Sequence, residues 1–106
     1  MIPALPNEQQ DIRVLLGEIN VSHLAMLSMI AAGVHPLTLL ERHRRGDWGD
    51  IGTEDRVANE IALCHGLRVF SAYALSEFTP DAGDDHIWIL TGADRSYTCV
   101  ILPEEY

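Results

Sequence analysis

The hydrophobic pattern of this chain changes period near Gly66. Upstream, apolar residues recur at three- and four-residue intervals; downstream, they alternate with polar ones. Ser22 is placed to cap a helix over 23–32 with Leu24, Leu27, Met29 and Ile30 as apolar positions, and Gly33 to close it. Pro36 suits the first position of a second helix running to about Arg45. Leu37 and Leu40, with Leu39 beside them, are its inward positions, and Arg42, Arg44 and Arg45 fall in its last turn, where positive charge favours the helix dipole. Thr53 is placed to cap a third helix over 54–65, with Glu54 and Asp55 in the first turn and Val57, Ile61, Leu63 and Cys64 apolar; Gly66 ends it.

Three strands follow, at 67–75, 86–91 and 97–102. In the first, Leu67, Val69, Ser71 and Tyr73 share one face, and Arg68, Phe70, Ala72 and Ala74 the other. GADR at 92–95 reads as a tight turn and SEFTPDAGDD at 76–85 as a longer acidic loop, so the strands form an antiparallel meander. Residues 12–21, IRVLLGEINV, fit two patterns. Ile12, Leu15, Leu16 and Ile19 have helical spacing, but β-branched content and alternation reset by a bulge at Gly17 favour a fourth strand over 12–20. Pro3 and Pro6 mark 1–11 as an irregular lead-in. Helices gathered before strands predict an α+β domain: three short helices packed on one face of a small antiparallel β-meander.

The 106 residues suit a single domain, and a 47% hydrophobic share is that of a folded chain. The longest apolar stretch, around Leu24 to Val34, is too short to span a bilayer. MIPALPNEQQ has neither a basic region nor a long apolar run, so no secretory signal is expected and a cytoplasmic location is. Cys64 and Cys99 are then expected as buried free thiols, too few for a four-thiolate zinc site.

Formal charge is −9, and all seven basic residues are arginine. Phosphate affinity needs clustered positive charge, so direct binding to nucleic acid or to an anionic membrane is disfavoured. Without lysine there is no Schiff-base chemistry and no P-loop lysine. The acidity suits a basic protein partner, or solubility alone.

HRRGDWGDIGTEDRVANEIALCHGLRVFSAYAL followed by HIWILTGADRSYTCVILPEEY resembles a group of small plasmid-related proteins carried by bacterial plasmids and integrative elements. The likeness covers roughly the last sixty residues and rests on the strings GDWGD, RVFSAY and IWILTGADRS. It implies an accessory protein of a mobile genetic element, and no particular activity. The loop at 76–85 and Gly92 depart from the group's usual pattern.

Three constellations carry candidate chemistry. His43, Asp47, Asp50 and Asp55 surround the GDWGD loop; carboxylates and an imidazole this close in sequence are the ligand types of a divalent-cation site, as a small metal-dependent hydrolase would need. The competing reading is a glycine-rich turn whose aspartates bind backbone amides. Trp48, between Gly46 and Gly49 of that loop, is either an exposed interface anchor or an inward pin for the loop. Asp94, Arg95 and Ser96, with Arg68 and Tyr73 on a neighbouring strand, would either grip an anion or form a local Asp–Arg pair with an Asx turn. Asp84, Asp85 and His86 read as a solvated loop, since strand neighbours diverge. No GxSxG, HExxH or phosphate loop is present, and adjacent Cys64 and His65 point apart on a helix.

These features favour a non-enzymatic, acidic protein-interaction module without cofactor or metal, acting on a basic partner; inhibition of a host defence or nucleic-acid-binding protein is the role that context suggests. The metal-dependent hydrolase is the alternative. Asp47, Trp48, Asp50, Asp55 and Arg95 are the expected contact residues, around helix 36–45, the GDWGD loop and helix 54–65. Pairing of sheet edges would allow a homodimer.

Overall fold

The computed structural model describes residues 12–106, so the expected lead-in over 1–11 lies outside the described residues. The order of elements is β1 (Glu18–Val21), α1 (His23–Ala32), α2 (Pro36–Arg44), α3 (Thr53–His65), β2 (Val69–Ala74), β3 (His86–Thr91) and β4 (Tyr97–Ile101), with short 3-10 turns at Leu75–Glu77, Pro80–Ala82 and Pro103–Glu105. The fold is α+β. β2, β3 and β4 pair antiparallel as consecutive neighbours.

The sheet as a whole is mixed rather than a pure antiparallel meander. Its order is β1-β4-β3-β2, and β1 lies parallel to β4 with Ile19 opposite Thr98 and Val21 opposite Val100. β1 is also shorter than the expected 12–20. Gly17 is the reason: it sits at φ +63°, and a Cβ there would fall 2.4 Å from the backbone of Ser96. The chain can approach the end of β4 this closely only without a side chain.

The caps of α1 follow the sequence. Ser22 Oγ accepts the Ala25 amide at 3.0 Å, and Gly33 takes the left-handed conformation at φ +76°. α3 starts one residue earlier than expected: Gly52 is its N-cap, without a side-chain bond, and Thr53 lies inside the helix.

α1 and α2 cover one face of the sheet, whereas α3 runs beside the β2 edge rather than over that face with them. Ala25, Met29 and Ala32 of α1 and Leu39 and Leu40 of α2 pack with Tyr73, Ile87, Ile89 and Val100. A smaller cluster joins Val14, Trp48, Ala62 and Val69. Met29, Leu39 and Leu40 are buried as expected, but other apolar positions are not. Leu24, Leu27 and Ile30 on α1, Leu37 on α2, and Val57 and Ile61 on α3 are exposed, because small residues (Ala25, Ala32, Ala62) set the close approach to the sheet. Among the described residues no single helix is long and apolar enough to cross a membrane.

The β2 edge is closed. Asn59 on α3 donates to the Phe70 carbonyl at 2.6 Å and accepts the Phe70 amide at 3.0 Å, so its side-chain amide stands in for a strand. Two residues on, the Ala72 amide donates to Trp48 O and the Asp50 amide donates to Ala72 O. With the ladder groups of Phe70 and Ala72 taken, little of this edge is left for another strand to pair with.

Candidate functional site

The GDWGD loop is built against β2. Gly49 is at φ +74°, and a Cβ there would lie 2.2 Å from the Ala72 carbonyl oxygen. Asp47 accepts from Arg42 Nε at 2.7 Å and from the Gly49 amide at 3.3 Å, and its backbone carbonyl accepts the Tyr73 hydroxyl at 2.7 Å. The Arg42 guanidinium, itself 4.7 Å from the Tyr73 ring centre, holds the Asp47 carboxyl below its ordinary pKa. Asp47 is therefore a clamp within the loop.

Trp48 points inward. It is 3% exposed, stands edge-on to His43 with ring centres 5.9 Å apart, and directs its indole N–H toward Glu60 at 3.4 Å. Its place on the expected contact surface is corrected: the apolar ring finds Val14, Ala62 and Val69, and the loop is too tightly bound to β2 to turn it out.

His43 is fully buried and touches none of the aspartates. Its Nδ1 lies 2.5 Å from Ser71 Oγ and its Nε2 2.9 Å from Thr91 Oγ1. The proton order follows from the far end. Thr98 Oγ1 donates to the Leu16 carbonyl at 2.7 Å, so it accepts from Thr91 Oγ1, also at 2.7 Å. Thr91 then accepts from His43 Nε2–H, and the unprotonated Nδ1 accepts from Ser71. Burial pushes the imidazole down to about 4, with nearby Arg95 acting in the same direction. A neutral ring with both nitrogens engaged by hydroxyls has no lone pair for a metal. Among the described residues no group of three or more His, Cys, Asp or Glu is placed to hold an ion. The expected His43/Asp47/Asp50 cluster does not assemble: Asp47 pairs with Arg42, and Asp50 pairs elsewhere.

Asp50 meets His86. The His86 Nε2 lies 2.8 Å from Asp50 Oδ2, and Nδ1 faces the Asp84 carbonyl at 2.5 Å. Both nitrogens face acceptors, an arrangement that favours the protonated ring. The Asp50 carboxylate, with the Asp84 carbonyl, raises its pKa. Held between the Asp50 carboxylate and the Asp84 carbonyl, His86 is a latch between the loop and β3. This pair joins residues 36 apart in sequence, and only the fold brings them together.

Arg95 is also structural. It is the one non-glycine residue with positive φ among those described, at +63°. Its guanidinium donates to the Leu67 carbonyl at 2.5 Å, Gly92 at 3.0 Å and Ala62 at 3.1 Å, tying the end of α3 to the β3–β4 turn. Asp94 accepts the Ser96 amide at 3.0 Å in an Asx turn, and no Asp94–Arg95 pair forms. Arg68 and Tyr73 lie elsewhere: Tyr73 is buried against Asp47, and Arg68 meets Tyr106. The two thiols are free but not buried: Cys64 is exposed and Cys99 half-buried.

The face of the sheet opposite α1 and α2 carries the remaining candidates. Phe70 on β2, Trp88 on β3, and Cys99 and Ile101 on β4 point to that side and are half-buried. Phe70 and Trp88 stand edge to face with centres 5.0 Å apart, and Tyr106 crosses back to lie 5.7 Å from Trp88. A groove of about 460 Å³ runs along this side, lined by Asp50, Asp55, Phe70, Asp84, His86 and Trp88 among others. A neighbouring pocket of about 260 Å³ is formed by Asp55, Arg68, Phe70, Trp88 and Tyr106. Of the expected contact residues, Asp50 and Asp55 belong here; Asp47, Trp48 and Arg95 do not. Phe70, Trp88 and Tyr106 were not singled out by the sequence, although Phe70 and Trp88 alternate with core-facing residues; Asp84 was read only as part of a solvated loop.

A larger depression, about 540 Å³, lies outside α3 around Val57, Ile61 and Cys64. Its charged groups are already paired: Arg56 donates to the Gly49 carbonyl, and Glu60 pairs with Arg13 at 2.7 Å. The open sheet face is the stronger candidate because aromatic rings and carboxylates converge there. Comparison of the chain with protein-family models, curated proteins and solved structures finds no match.

Proposed function

We propose that this domain is a non-enzymatic protein-interaction module whose open sheet face docks a basic segment of a partner protein. The observation that carries the reading is the aromatic floor of Phe70 and Trp88 rimmed by Asp50, Asp55 and Asp84 in one groove. Aromatic residues at the centre of a patch supply most of the binding energy, and carboxylates at the rim select and steer a cationic partner. A net charge of −9 acts the same way over longer range. The histidines support the non-enzymatic part: His43 is sealed in the core and His86 has both nitrogens occupied.

The likeness to plasmid-related proteins adds a context. Within it, we propose a cytoplasmic accessory protein of a mobile genetic element that covers a basic, nucleic-acid-binding surface of a host protein, such as a defence factor. An acidic surface competes for the same arginines and lysines that phosphates would engage.

Calorimetric titration with the peptide acetyl-(Lys-Arg)4-amide at low salt tests the docking. Binding is expected to weaken as salt rises. It is also expected to fall about ten-fold in Trp88→Ala and further in the double variant Asp55→Lys, Asp84→Lys. Affinity unchanged in both variants would remove the sheet face from consideration.

A further inference from the structure

We infer that the pocket between Phe70, Trp88, Tyr106 and Asp55 is a recognition site for a single arginine side chain of the docked segment. The inference rests on the docking proposed above and names the side chain that anchors it. Three rings supply its walls. Trp88 is met at a steep angle on one side by Phe70, at 80°, and on the other by Tyr106, at 63°. These rings, with Asp55 and Arg68, line a space of about 260 Å³, large enough for a guanidinium head and its stem. Asp55 supplies the carboxylate. It sits in the exposed first turn of α3 and enters no ion pair among the described residues.

The chain already shows the chemistry at the pocket's own wall. The Arg68 guanidinium lies 5.8 Å from the centre of the Tyr106 ring and donates to its hydroxyl at 3.2 Å. That contact engages Tyr106 with an internal arginine whose charge opposes a second cation, so an incoming guanidinium relies on Phe70, Trp88 and the Asp55 carboxylate. Arginine fits better than lysine for a geometric reason. A planar guanidinium stacks flat on an indole while its edge N–H groups reach a carboxylate in the ring plane. An ammonium is a compact, strongly hydrated point charge and cannot satisfy both contacts at once. A nucleobase would also stack on these rings, but the phosphate that accompanies it meets Asp50, Asp55 and Asp84 around the same face.

Parallel titrations with acetyl-(Gly-Arg)4-amide, acetyl-(Gly-Lys)4-amide and an eight-nucleotide single-stranded RNA test the assignment. The arginine peptide is expected to bind about ten-fold tighter than the lysine peptide and to shift the Trp88 indole N–H resonance. In Asp55→Asn, which leaves the rings intact, the preference is expected to shrink to about two-fold; in Trp88→Phe it shrinks because the larger stacking face is lost. Equal affinity for the two peptides overturns the arginine pocket while leaving basic docking standing. A preference that survives Asp55→Asn and Trp88→Phe overturns it as well. Failure of both peptides to bind removes the docking face itself, and tighter binding of the RNA overturns both readings.

Discussion

His43 Nδ1 accepts the hydroxyl proton of Ser71 inside a sealed core, 2.5 Å away and 28 residues along the chain. The bond has one direction only, because the Thr91–Thr98–Leu16 chain fixes the other ring nitrogen as the donor. Protonating the ring would set two donors against each other and place a charge in the core.

Acid should therefore begin to weaken the fold above the carboxylate range. The folded pKa of His43, about 4, lies below the unfolded 6.5, so unfolding takes up a proton between them. The stability due to the neutral ring is full above pH 6.5 and is lost as pH falls toward 4, in total about 3 kcal/mol. His86 has the opposite sign: its raised pKa contributes stability that is full below its unfolded value and is lost as pH rises through the folded one. Asp47 and Glu60, depressed by Arg42 and Arg13, lose their contributions only below ordinary carboxylate values. Urea unfolding at pH 7, 6 and 5 should show stability falling across this window. His43→Gln should flatten the slope while costing roughly 1–3 kcal/mol at pH 7.

Gly49→Ala and Gly33→Ala separate backbone strain from collision. Both glycines have φ near +75°, but a Cβ on Gly33 meets nothing within 4 Å, whereas one on Gly49 meets Ala72 O and the Tyr73 ring. Gly33→Ala should cost about 1–2 kcal/mol, the left-handed penalty alone. Gly49→Ala should cost at least twice that and loosen the GDWGD loop, seen as rapid hydrogen exchange at the Asp50 and Ala72 amides.

Arg95→Ala removes several charge-assisted bonds to carbonyls and should destabilise by roughly 2–3 kcal/mol. Arg95→Gly loses the same bonds but relieves φ +63°, so it should be the milder of the two by about 1 kcal/mol. Denaturant midpoints for the pair read this difference directly.

Divalent cations should leave thermal stability unchanged. Magnesium, manganese, calcium and zinc find no His43–aspartate cluster to complete, because each member is already paired. A melting temperature that rises with any of them and returns with a chelator would reinstate the metal-dependent hydrolase.

The parts legible in the sequence were those governed by neighbours along it. Ser22, Gly33, Pro36 and Gly66 act through bonds within one turn, so the helices they bound were readable. The strands of the meander were readable from alternation. A fourth strand was expected near 12–20, but its short extent over Glu18–Val21 and its parallel pairing with β4 were not readable, because four residues carry too little pattern to reveal a partner near residue 100. The inward faces of α1 and α3 were misread because small Ala25, Ala32 and Ala62 and polar Asn59 took positions expected of leucine and valine. For the site, the pairing of Asp50 with His86 has no local signal. His43 had one: Ser71, Thr91 and Thr98 place hydroxyls at core-facing strand positions, and such groups need a polar partner.

The most direct measurement is a two-dimensional amide NMR titration of the full chain with acetyl-(Lys-Arg)4-amide. Shifts are predicted at Asp50, Asp55, Phe70, His86 and Trp88, with α1 and α2 undisturbed. Shifts confined to α1 and α2, or none at any peptide concentration, would contradict docking on the open sheet face.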